Sequence, residues 1–369
     1  MKFTKQQEKV IYADDPYIIC VSGAGMGKTR VLTERIRRII VEKKAKPEEI
    51  VALTFTNNAA EEMKKRLGDI CYGMFIGTIH SYTNQICIGC GIDTSNYLAN
   101  MQFDKILSRA AAIPERMYPH VKYLLMDECQ DTCDLDLQVL EKIHYDNFFL
   151  VGDFRQLIYS FRGSNPEIFY RFYNDPSFKK YYLTKNFRCP PNIIKYAERF
   201  VQRFENVGPK AVAAKTIAGY IDDDISFNEV VDEILWTDNY GKWAILCRTN
   251  AELEEAQRRL DKQGIPNLTF KRGDLDLVEM EGLLNENKVK VLTIHAAKGL
   301  EFPNVVVVGM RTYNDEENRI SYVAVTRAEN NLYICPSIAK RRRGAGTAQT
   351  VKTTQNMIAD QVKKQLIKF

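Results

Sequence analysis

Short apolar segments rich in β-branched residues alternate with helix-patterned segments along most of this 369-residue chain. Such segments are typical of parallel strands covered by helices on both faces, because neither face of the strand then meets water. The pattern is interrupted around residues 182–217, which contain Pro190 and Pro191. The sequence therefore predicts an α/β fold with two lobes, each built on a parallel sheet. The predicted strands are 17–21, 50–54, 123–126, 148–151, 244–247, 289–293, 305–308 and 332–335, and the predicted helices are 29–41, 58–67 and 251–263.

A glycine-rich turn follows the first predicted strand, with the sequence Ser-Gly-Ala-Gly-Met-Gly-Lys-Thr at residues 22–29. Glycines let the backbone turn tightly enough for its N–H groups to point at phosphate oxygens. Lys28 is predicted to reach the β- and γ-phosphates of a nucleotide, and the Thr29 hydroxyl to bind Mg²⁺. The predicted nucleotide contacts here are Ser22, Gly23, Ala24, Gly25, Met26, Gly27, Lys28, Thr29 and Arg30.

An acidic pair, Asp127 and Glu128, directly follows the predicted strand 123–126. The carboxyl ends of parallel strands are where ligands bind in open α/β sheets. Asp127 can hold Mg²⁺ through water, and Glu128 can orient and deprotonate an attacking water. The glycine-rich turn followed by this pair therefore predicts an ATPase that uses ATP and Mg²⁺.

Together with these two segments, further motifs resemble those of the UvrD/Rep/PcrA-like helicases of superfamily 1, in order and over nearly the full length of the chain. Two departures stand out: Cys129 occupies a position where phenylalanine is usual, and Phe161 one where tryptophan is usual. The matching segments are 3–7, 22–29, 54–60, 77–80, 127–132, 151–163, 186–188, 293–302 and 322–328.

The resemblance implies two RecA-like P-loop NTPase lobes with ATP bound between them. Phosphoryl transfer depends mostly on positioning and on neutralising charge at the γ-phosphate. The implied catalytic residues are Lys28, Glu128, Gln156 as the γ-phosphate sensor, and Arg188 and Arg327 as arginine fingers. By the same resemblance, Gln7 reads the adenine edge, Phe187 stacks on adenine and Glu301 contacts the ribose.

The resemblance also implies single-stranded DNA as the partner and movement in the 3′ to 5′ direction. Single strands are held by stacking of bases on aromatic faces and by contacts to the backbone. Any one of these aromatic residues can alternatively be part of a core, Tyr159 more than the others. The implied DNA contacts are Phe55, Asn57, His80, Tyr159, Phe161, Arg162 and His295.

The predicted domains are an ATP-binding lobe at 1–185, a second lobe at 186–340 and a basic tail at 341–369. A small helical insertion is expected around 82–120, but the gap between Arg248 and Val291 is too short for the large duplex-contacting insertion usual in the family. From Pro336 onward the chain has eight Lys or Arg residues against one acid, which suits a phosphate backbone or a solvated tail. An amphipathic helix is predicted at the end of this tail, with one apolar face formed by Ile358, Val362, Leu366 and Phe369.

Two functions of different classes fit this sequence. The first is an ATP-driven single-stranded DNA translocase with helicase activity. The alternative is a DNA-stimulated ATPase that serves as the regulatory or motor subunit of a nuclease, repair or anti-phage defence complex, with little unwinding of its own. The short second gap and an arginine-rich turn at 339–344, which lacks an aromatic tip, favour the alternative. An RNA-directed motor is a third possibility.

The nine cysteines are scattered and suggest neither a disulfide framework nor a metal site. Cys87 and Cys90, with Cys71 upstream, resemble half of a zinc or iron–sulfur site, but no second close pair completes it. No signal peptide or apolar run long enough to cross a bilayer is apparent. We therefore expect a cytoplasmic monomer without membrane contact, in which the cysteines are reduced.

Overall fold

The computed structural model describes residues 2–202, 204, 208–270 and 282–339, without the side chains of Arg162 and Phe270. Two sheets of six strands each lie within one compact unit, Met1–Ser337. The strands are β1 Tyr17–Ser22, β2 Ile50–Thr54, β3 Phe75–Thr78, β4 His120–Met126, β5 His144–Gly152, β6 Lys179–Leu183, β7 Lys185–Asn186, β8 Val212–Ala213, β9 Tyr220–Asp222, β10 Trp243–Cys247, β11 Asn267–Phe270, β12 Val289–Thr293, β13 Phe302–Val308 and β14 Ala328–Cys335.

Helices separate most of these strands and cover the sheets. Several begin with a side-chain cap; Thr56, for example, accepts a hydrogen bond from the Ala59 amide at the start of the third helix. The helices are α1 Lys5–Ile11, α2 Lys28–Val41, α3 Asn57–Leu67, α4 Ile79–Gly89, α5 Ser95–Ala99, α6 Phe103–Ala111, α7 Asp134–Leu140, α8 Pro166–Asn174, α9 Pro191–Val201, α10 Phe227–Leu235, α11 Asn250–Lys262 and α12 Asp315–Val325.

The first sheet has the strand order β3-β2-β4-β5-β1-β6, and every neighbouring pair is parallel. Successive residues of its central strands enter different cores. Ile19 and Val21 of β1 pack into the core on one face, whereas Ile18 and Cys20 pack into the core on the other. Because side chains alternate across a strand, this double burial explains why the strand is apolar throughout.

The second sheet has the order β11-β12-β10-β13-β14-β9 and is also parallel throughout. Ala244 and Leu246 of β10 pack with Val305 and Val307 of β13 in one core. Its strands and the helices beside it form the second lobe. The predicted α/β architecture with two parallel sheets is therefore confirmed.

All eight predicted strands and all three predicted helices are present, with ends that differ by a few residues. The segment expected to hold a helical insertion contains most of α4, together with α5 and α6. The domain boundaries stay predictions; the one at 185/186 falls within the two-residue strand β7. The segments predicted to form the arginine-rich turn (apart from Ala339) and the C-terminal amphipathic helix lie outside the described residues.

Candidate functional site

Two sheet edges define the candidate site. In the first sheet β4, β5 and β1 are neighbours, so their carboxyl ends place the acidic pair, the loop after Gly152 and the glycine-rich turn side by side. From the second sheet, the amino ends of β13 and β14 contribute Glu301 and Arg327, each one residue before its strand. The site is therefore assembled from segments that are distant in the sequence.

The glycine-rich turn has the conformation of an anion cradle. Gly25 and Gly27 adopt φ angles of 67° and 84°, which other residues reach only at a cost. Gly27 precedes α2, and no side chain caps that helix, so the N–H groups of its first turn are available to an anion. The Ser22 hydroxyl is buried and has no hydrogen-bond partner among the described residues. These features fit a phosphate chain.

Thr29 and Asp127, the residues predicted to hold Mg²⁺, lie side by side. The Thr29 hydroxyl donates to Oδ2 of Asp127 over 3.2 Å, although the two residues are 98 positions apart. Hydroxyl and carboxylate oxygens are the hard ligands that Mg²⁺ prefers. Burial, reinforced by the neighbouring charge of Glu128, raises the pKa of Asp127 above its usual value. An unpaired negative charge is therefore costly here, and a cation would relieve that cost, so the residues fit the ion.

Glu128 is held in a strained and strongly charged setting. Its φ of 51° lies in the left-handed region, which costs a residue with a side chain about 1–3 kcal/mol. Burial alone would raise the pKa of Glu128, but the positive charges of Lys28 and Lys298 outweigh the effect of burial. The pKa of Glu128 is therefore lowered to about 2. Lys28 Nζ lies 3.5 Å from Oε1 of Glu128. An ionised Glu128 can accept a hydrogen bond from a water and orient it, which is one of the two roles that the sequence predicts for this residue.

Gln156 lies in the short turn after β5 and faces the same cleft. Its side-chain amide donates to Oδ2 of Asp153 over 2.8 Å. The Asp153 amide in turn donates to the Gln130 side chain over 2.9 Å, and Gln130 donates to Glu128. This chain of hydrogen bonds connects the predicted phosphate sensor to the predicted base.

The second lobe brings two arginines to the cleft. Arg188 donates to Glu301 over 2.6 Å and to the Thr326 carbonyl over 3.1 Å. Arg327 is 1% exposed, and its guanidinium donates to the carbonyls of Val323 and Leu300 and to the Thr326 hydroxyl. Burial and the like charge of Arg188 lower the pKa of Arg327. An anion that enters the cleft would therefore stabilise the charged form of Arg327.

A cleft of about 670 Å³ connects these groups. Of the predicted nucleotide residues, only the buried Ser22 and Asp127 are not among its lining residues. Gln7 lies at its wall, with its side-chain amide donating to the Met26 carbonyl over 3.1 Å. Exposed Glu62 and Arg66 of α3 also line the cleft; nothing in the sequence pattern indicated them.

An aromatic cluster joins the two lobes beside the cleft: Phe55, Tyr159, Phe161 and His295. The rings of Phe55 and Tyr159 stack with centroids 5.0 Å apart, and Phe161 packs edge-on against His295 at 5.1 Å. Phe161 is 64% exposed and can present a ring face to a base.

The prediction that Tyr159 contacts the strand directly stays a prediction, and the structure buries this side chain. Its side chain is only 2% exposed, is stacked on Phe55 and donates to the His295 carbonyl over 3.2 Å, so it supports the cluster from beneath. His80 packs edge-on against Phe103 of α6 and is not part of the cluster. Asn57 is exposed at the start of α3, and the Arg162 side chain lies outside the described residues.

Lys298 connects the lobes in a way that the motif did not indicate. Its ammonium group pairs with Asp131, donates to the Gln156 carbonyl over 3.0 Å and lies 4.7 Å from the ring centre of Tyr159. The side chains of Lys298 and Asp131 are 7% and 0% exposed. A single buried cation therefore touches both the nucleotide cleft and the base of the aromatic cluster.

The buried pair gives a stability prediction. Lys298→Met leaves the Asp131 carboxylate buried without its cation, which should lower the free energy of unfolding by about 3–5 kcal/mol. Lys288→Met is the control, because Lys288 pairs with Glu286 at 2.7 Å but both side chains are about 40% exposed; its effect should stay below about 1 kcal/mol. Urea unfolding followed by circular dichroism measures both. Equal small losses would contradict the buried role of Lys298.

The cysteine segment contains no metal cluster within the described part of the chain. Cys87 is buried, its thiol donates to the Ile106 carbonyl, and burial raises its pKa. Cys71 instead contacts the Gly68 carbonyl.

Among the described helices, none is long and apolar enough to cross a membrane.

Comparison with known families agrees with this geometry. The model of the UvrD/REP helicase N-terminal domain matches residues 3–103 and 95–177. The model of the UvrD-like helicase C-terminal domain matches residues 270–338. The first match covers the cradle, the acidic pair and the loop after β5, and the second covers Glu301 and Arg327.

Individual relatives are similar over most of the chain. A Mycoplasma pneumoniae protein named "Probable DNA helicase" is 25% identical over 89% of this chain and 82% of its own length. The Gabija protein GajB of Bacillus cereus is 25% identical over 88% of this chain and 94% of its own length. The ATP-dependent DNA helicase PcrA of Bacillus subtilis is 26% identical over 70% of this chain, but only 49% of the PcrA chain is covered.

Proposed function

The chain belongs to the UvrD-like family of ATP-hydrolysing DNA helicases, and on this premise we propose that it is an ATP-driven single-stranded DNA translocase with helicase activity, moving 3′ to 5′. The observation that carries the proposal is that the nucleotide cleft and the aromatic cluster both lie between the same two lobes. The nucleotide cleft and the aromatic cluster share these walls, and Lys298 contacts both. Closing the cleft would therefore move the surface on which bases stack.

The chemical step would use residues of both lobes. ATP would lie with its phosphates in the glycine-rich cradle, close to Lys28. Held by Thr29 and Asp127, Mg²⁺ would supply positive charge to the phosphate oxygens. Glu128 would orient a water and accept its proton, and Gln156 would contact the γ-phosphate. Arg188 and Arg327 would neutralise the charge that develops on the transferred group.

The strand would lie across the aromatic cluster, with Phe161 as its most exposed ring. Phe161→Ala should weaken single-stranded DNA binding about 10-fold, because one base–aromatic stack contributes roughly 1–3 kcal/mol. Trp236→Ala is the matched control, since this ring is 90% exposed but lies outside the cluster. Fluorescence anisotropy with an oligothymidylate measures both affinities. A loss that is equal for the two variants would contradict a strand path over Phe161.

A strand-displacement assay tests the proposed function. The isolated chain, with ATP and Mg²⁺, should release the shorter strand of a 3′-tailed duplex faster than that of a 5′-tailed duplex. ATPase stimulation by single-stranded DNA and by RNA of equal length separates a DNA-directed motor from an RNA-directed one. Equal displacement of both tails would contradict the proposed direction, and stronger stimulation by RNA would contradict the proposed polymer.

The second candidate is a DNA-stimulated ATPase that acts within a nuclease, repair or defence complex. Two observations favour it. Arg248 and Val291 are too close in sequence for a large duplex-contacting insertion, and the chain is similar to GajB over nearly all of that protein's length. Here the displacement assay should detect ATPase without strand release. Robust unwinding by the isolated chain would eliminate this candidate.

A further inference from the structure

Asn186 connects the glycine-rich cradle to the segment that carries Arg188, and the sequence predicted no role for it. It lies at the end of the short strand β7, is 3% exposed and directly precedes Phe187. Its Nδ2 donates to the Ala24 carbonyl over 2.8 Å. Its Oδ1 accepts from the amides of Arg188 and Cys189, over 2.9 and 2.8 Å. One buried carboxamide thus joins the phosphate cradle to the backbone that carries Arg188.

The hydrogen bond from Asn186 to Ala24 is one of three consecutive hydrogen bonds to backbone carbonyls of the cradle. Three consecutive carbonyls accept hydrogen bonds from donors outside it: Ala24 from Asn186, Gly25 from the Phe187 amide over 2.8 Å, and Met26 from Gln7. Carbonyls held in this way cannot turn towards a bound phosphate chain. The segment around Asn186 therefore helps to keep the cradle in its anion-binding shape.

Close packing reinforces this connection. A Cβ atom added to Gly25 would lie 2.6 Å from Cβ of Arg188 and 3.0 Å from Oδ1 of Asn186. Real Cβ atoms essentially never come within 2.6 Å of another side-chain atom. The two segments therefore meet at a glycine because no larger residue fits there. The distance between the cradle and the base of the Arg188 side chain is thereby fixed.

The two arginines are anchored differently. Among the residues that the structure describes, Arg327 donates to Val323, Leu300 and Thr326, all of the second lobe. The Arg188 backbone is instead tied through Asn186 to the cradle of the first lobe. We infer that Asn186 is a positioning residue that fastens the Arg188 backbone to the phosphate cradle, while the Arg188 guanidinium donates to Glu301 and Thr326 of the second lobe. This inference rests on the proposed ATPase function.

A double-mutant cycle tests the inference. Asn186→Ala should lower kcat of DNA-stimulated ATP hydrolysis by about 10- to 100-fold, the effect of losing a buried hydrogen-bond network in the site. The KM for ATP should change by less than about threefold, because the Gly25 and Met26 carbonyls keep their donors, the Phe187 amide and Gln7, and so hold the cradle. If Asn186 acts through Arg188, the double variant with Arg188→Ala should be no slower than Arg188→Ala alone. Losses that multiply would overturn the inference.

Asn186→Asp provides a second, nearly isosteric variant in case the alanine variant does not fold. An aspartate keeps the acceptor for the Arg188 and Cys189 amides but cannot donate to the Ala24 carbonyl when ionised. Its kcat should also fall at least about 10-fold, because the tether to the cradle is lost. Wild-type kcat in this variant would show that the tether is dispensable and would overturn the inference.

Asn192→Ala is the matched control for a merely structural asparagine. Asn192 also makes two backbone hydrogen bonds, to the carbonyl and amide of Gly219 over 2.7 and 2.8 Å, and it does not line the cleft. This variant should lose thermal stability but keep kcat, whereas Asn186→Ala loses kcat at a temperature where both are folded. An equal loss of kcat in the two would overturn the inference. An inactive wild-type enzyme would instead contradict the proposed function itself.

Discussion

Lys28→Ala should reduce DNA-stimulated ATP hydrolysis by at least about 100-fold, because it removes a preorganised positive charge beside the phosphates. The structure shows where this charge lies. The Lys28 side chain is 9% exposed and reaches both the Ser22 carbonyl and Glu128, so its ammonium group occupies the space between cradle and base. Its removal would also leave Glu128 with less positive charge nearby. Steady-state phosphate release measures the effect.

Lys142→Ala is the control for this experiment. Lys142 is likewise partly buried and donates to backbone carbonyls, those of Ala111 and Ile113, but it lies away from the cleft. Its loss should lower stability and leave turnover of the folded enzyme unchanged. Undiminished hydrolysis in Lys28→Ala would contradict the assignment of the nucleotide site.

Arg327→Ala should lower kcat by about 1,000-fold or more, in the range observed for arginine fingers. Because Arg327 belongs to the second lobe and the cradle to the first, nucleotide affinity should change far less than turnover. The expected result is therefore a variant that binds a fluorescent ATP analogue within about tenfold of the wild type but hydrolyses ATP very slowly.

Arginine-to-lysine variants provide the control for Arg327. Arg327→Lys keeps a positive charge but loses the planar fork, so kcat should still fall at least about 10-fold. Arg35 is also buried and donates to the carbonyls of Val10 and Ala13, over 2.8 and 2.9 Å, outside the cleft. Arg35→Lys should cost stability and spare kcat. Equal turnover in the two lysine variants would mean that Arg327 only supports the fold.

The sequence pattern identified the interior of both sheets and missed their edges. All eight strands that it predicted lie inside the two six-stranded sheets, whereas β3, β6, β9 and β11 are the four edge strands. Interior strands are apolar throughout because both faces are buried. Edge strands such as β6, with the sequence Lys-Lys-Tyr-Tyr-Leu, carry exposed polar residues and produce no apolar run.

Strand ends were less predictable for a related reason. β5 begins at His144 rather than at the predicted residue 148, because its first four residues alternate between exposed and half-buried positions beyond the core. An apolar run cannot reveal such an extension. Local chemistry was easier to predict, since the cradle and the acidic pair are each contiguous in sequence.

Contacts between the lobes were beyond the reach of the motifs. Lys298 lies within a quoted motif, but its partner Asp131 is 167 positions away, and only the folded chain brings them together. Tyr159 also matched a DNA-contacting position, yet its side chain is buried in the core of the second lobe and its hydroxyl donates to the His295 carbonyl. In both cases burial depends on packing across the lobes, which no local pattern encodes.

The central claim is that one nucleotide is held between two lobes and that the second lobe completes the catalytic site. A crystal structure with Mg²⁺, ADP–aluminium fluoride and a short oligothymidylate tests it most directly. We predict that the guanidinium groups of Arg188 and Arg327 both lie within hydrogen-bond distance of the fluoroaluminate, with Glu128 beside the attacking water. A complex in which the nucleotide contacts the first lobe alone, with both guanidinium groups turned away, would contradict the account.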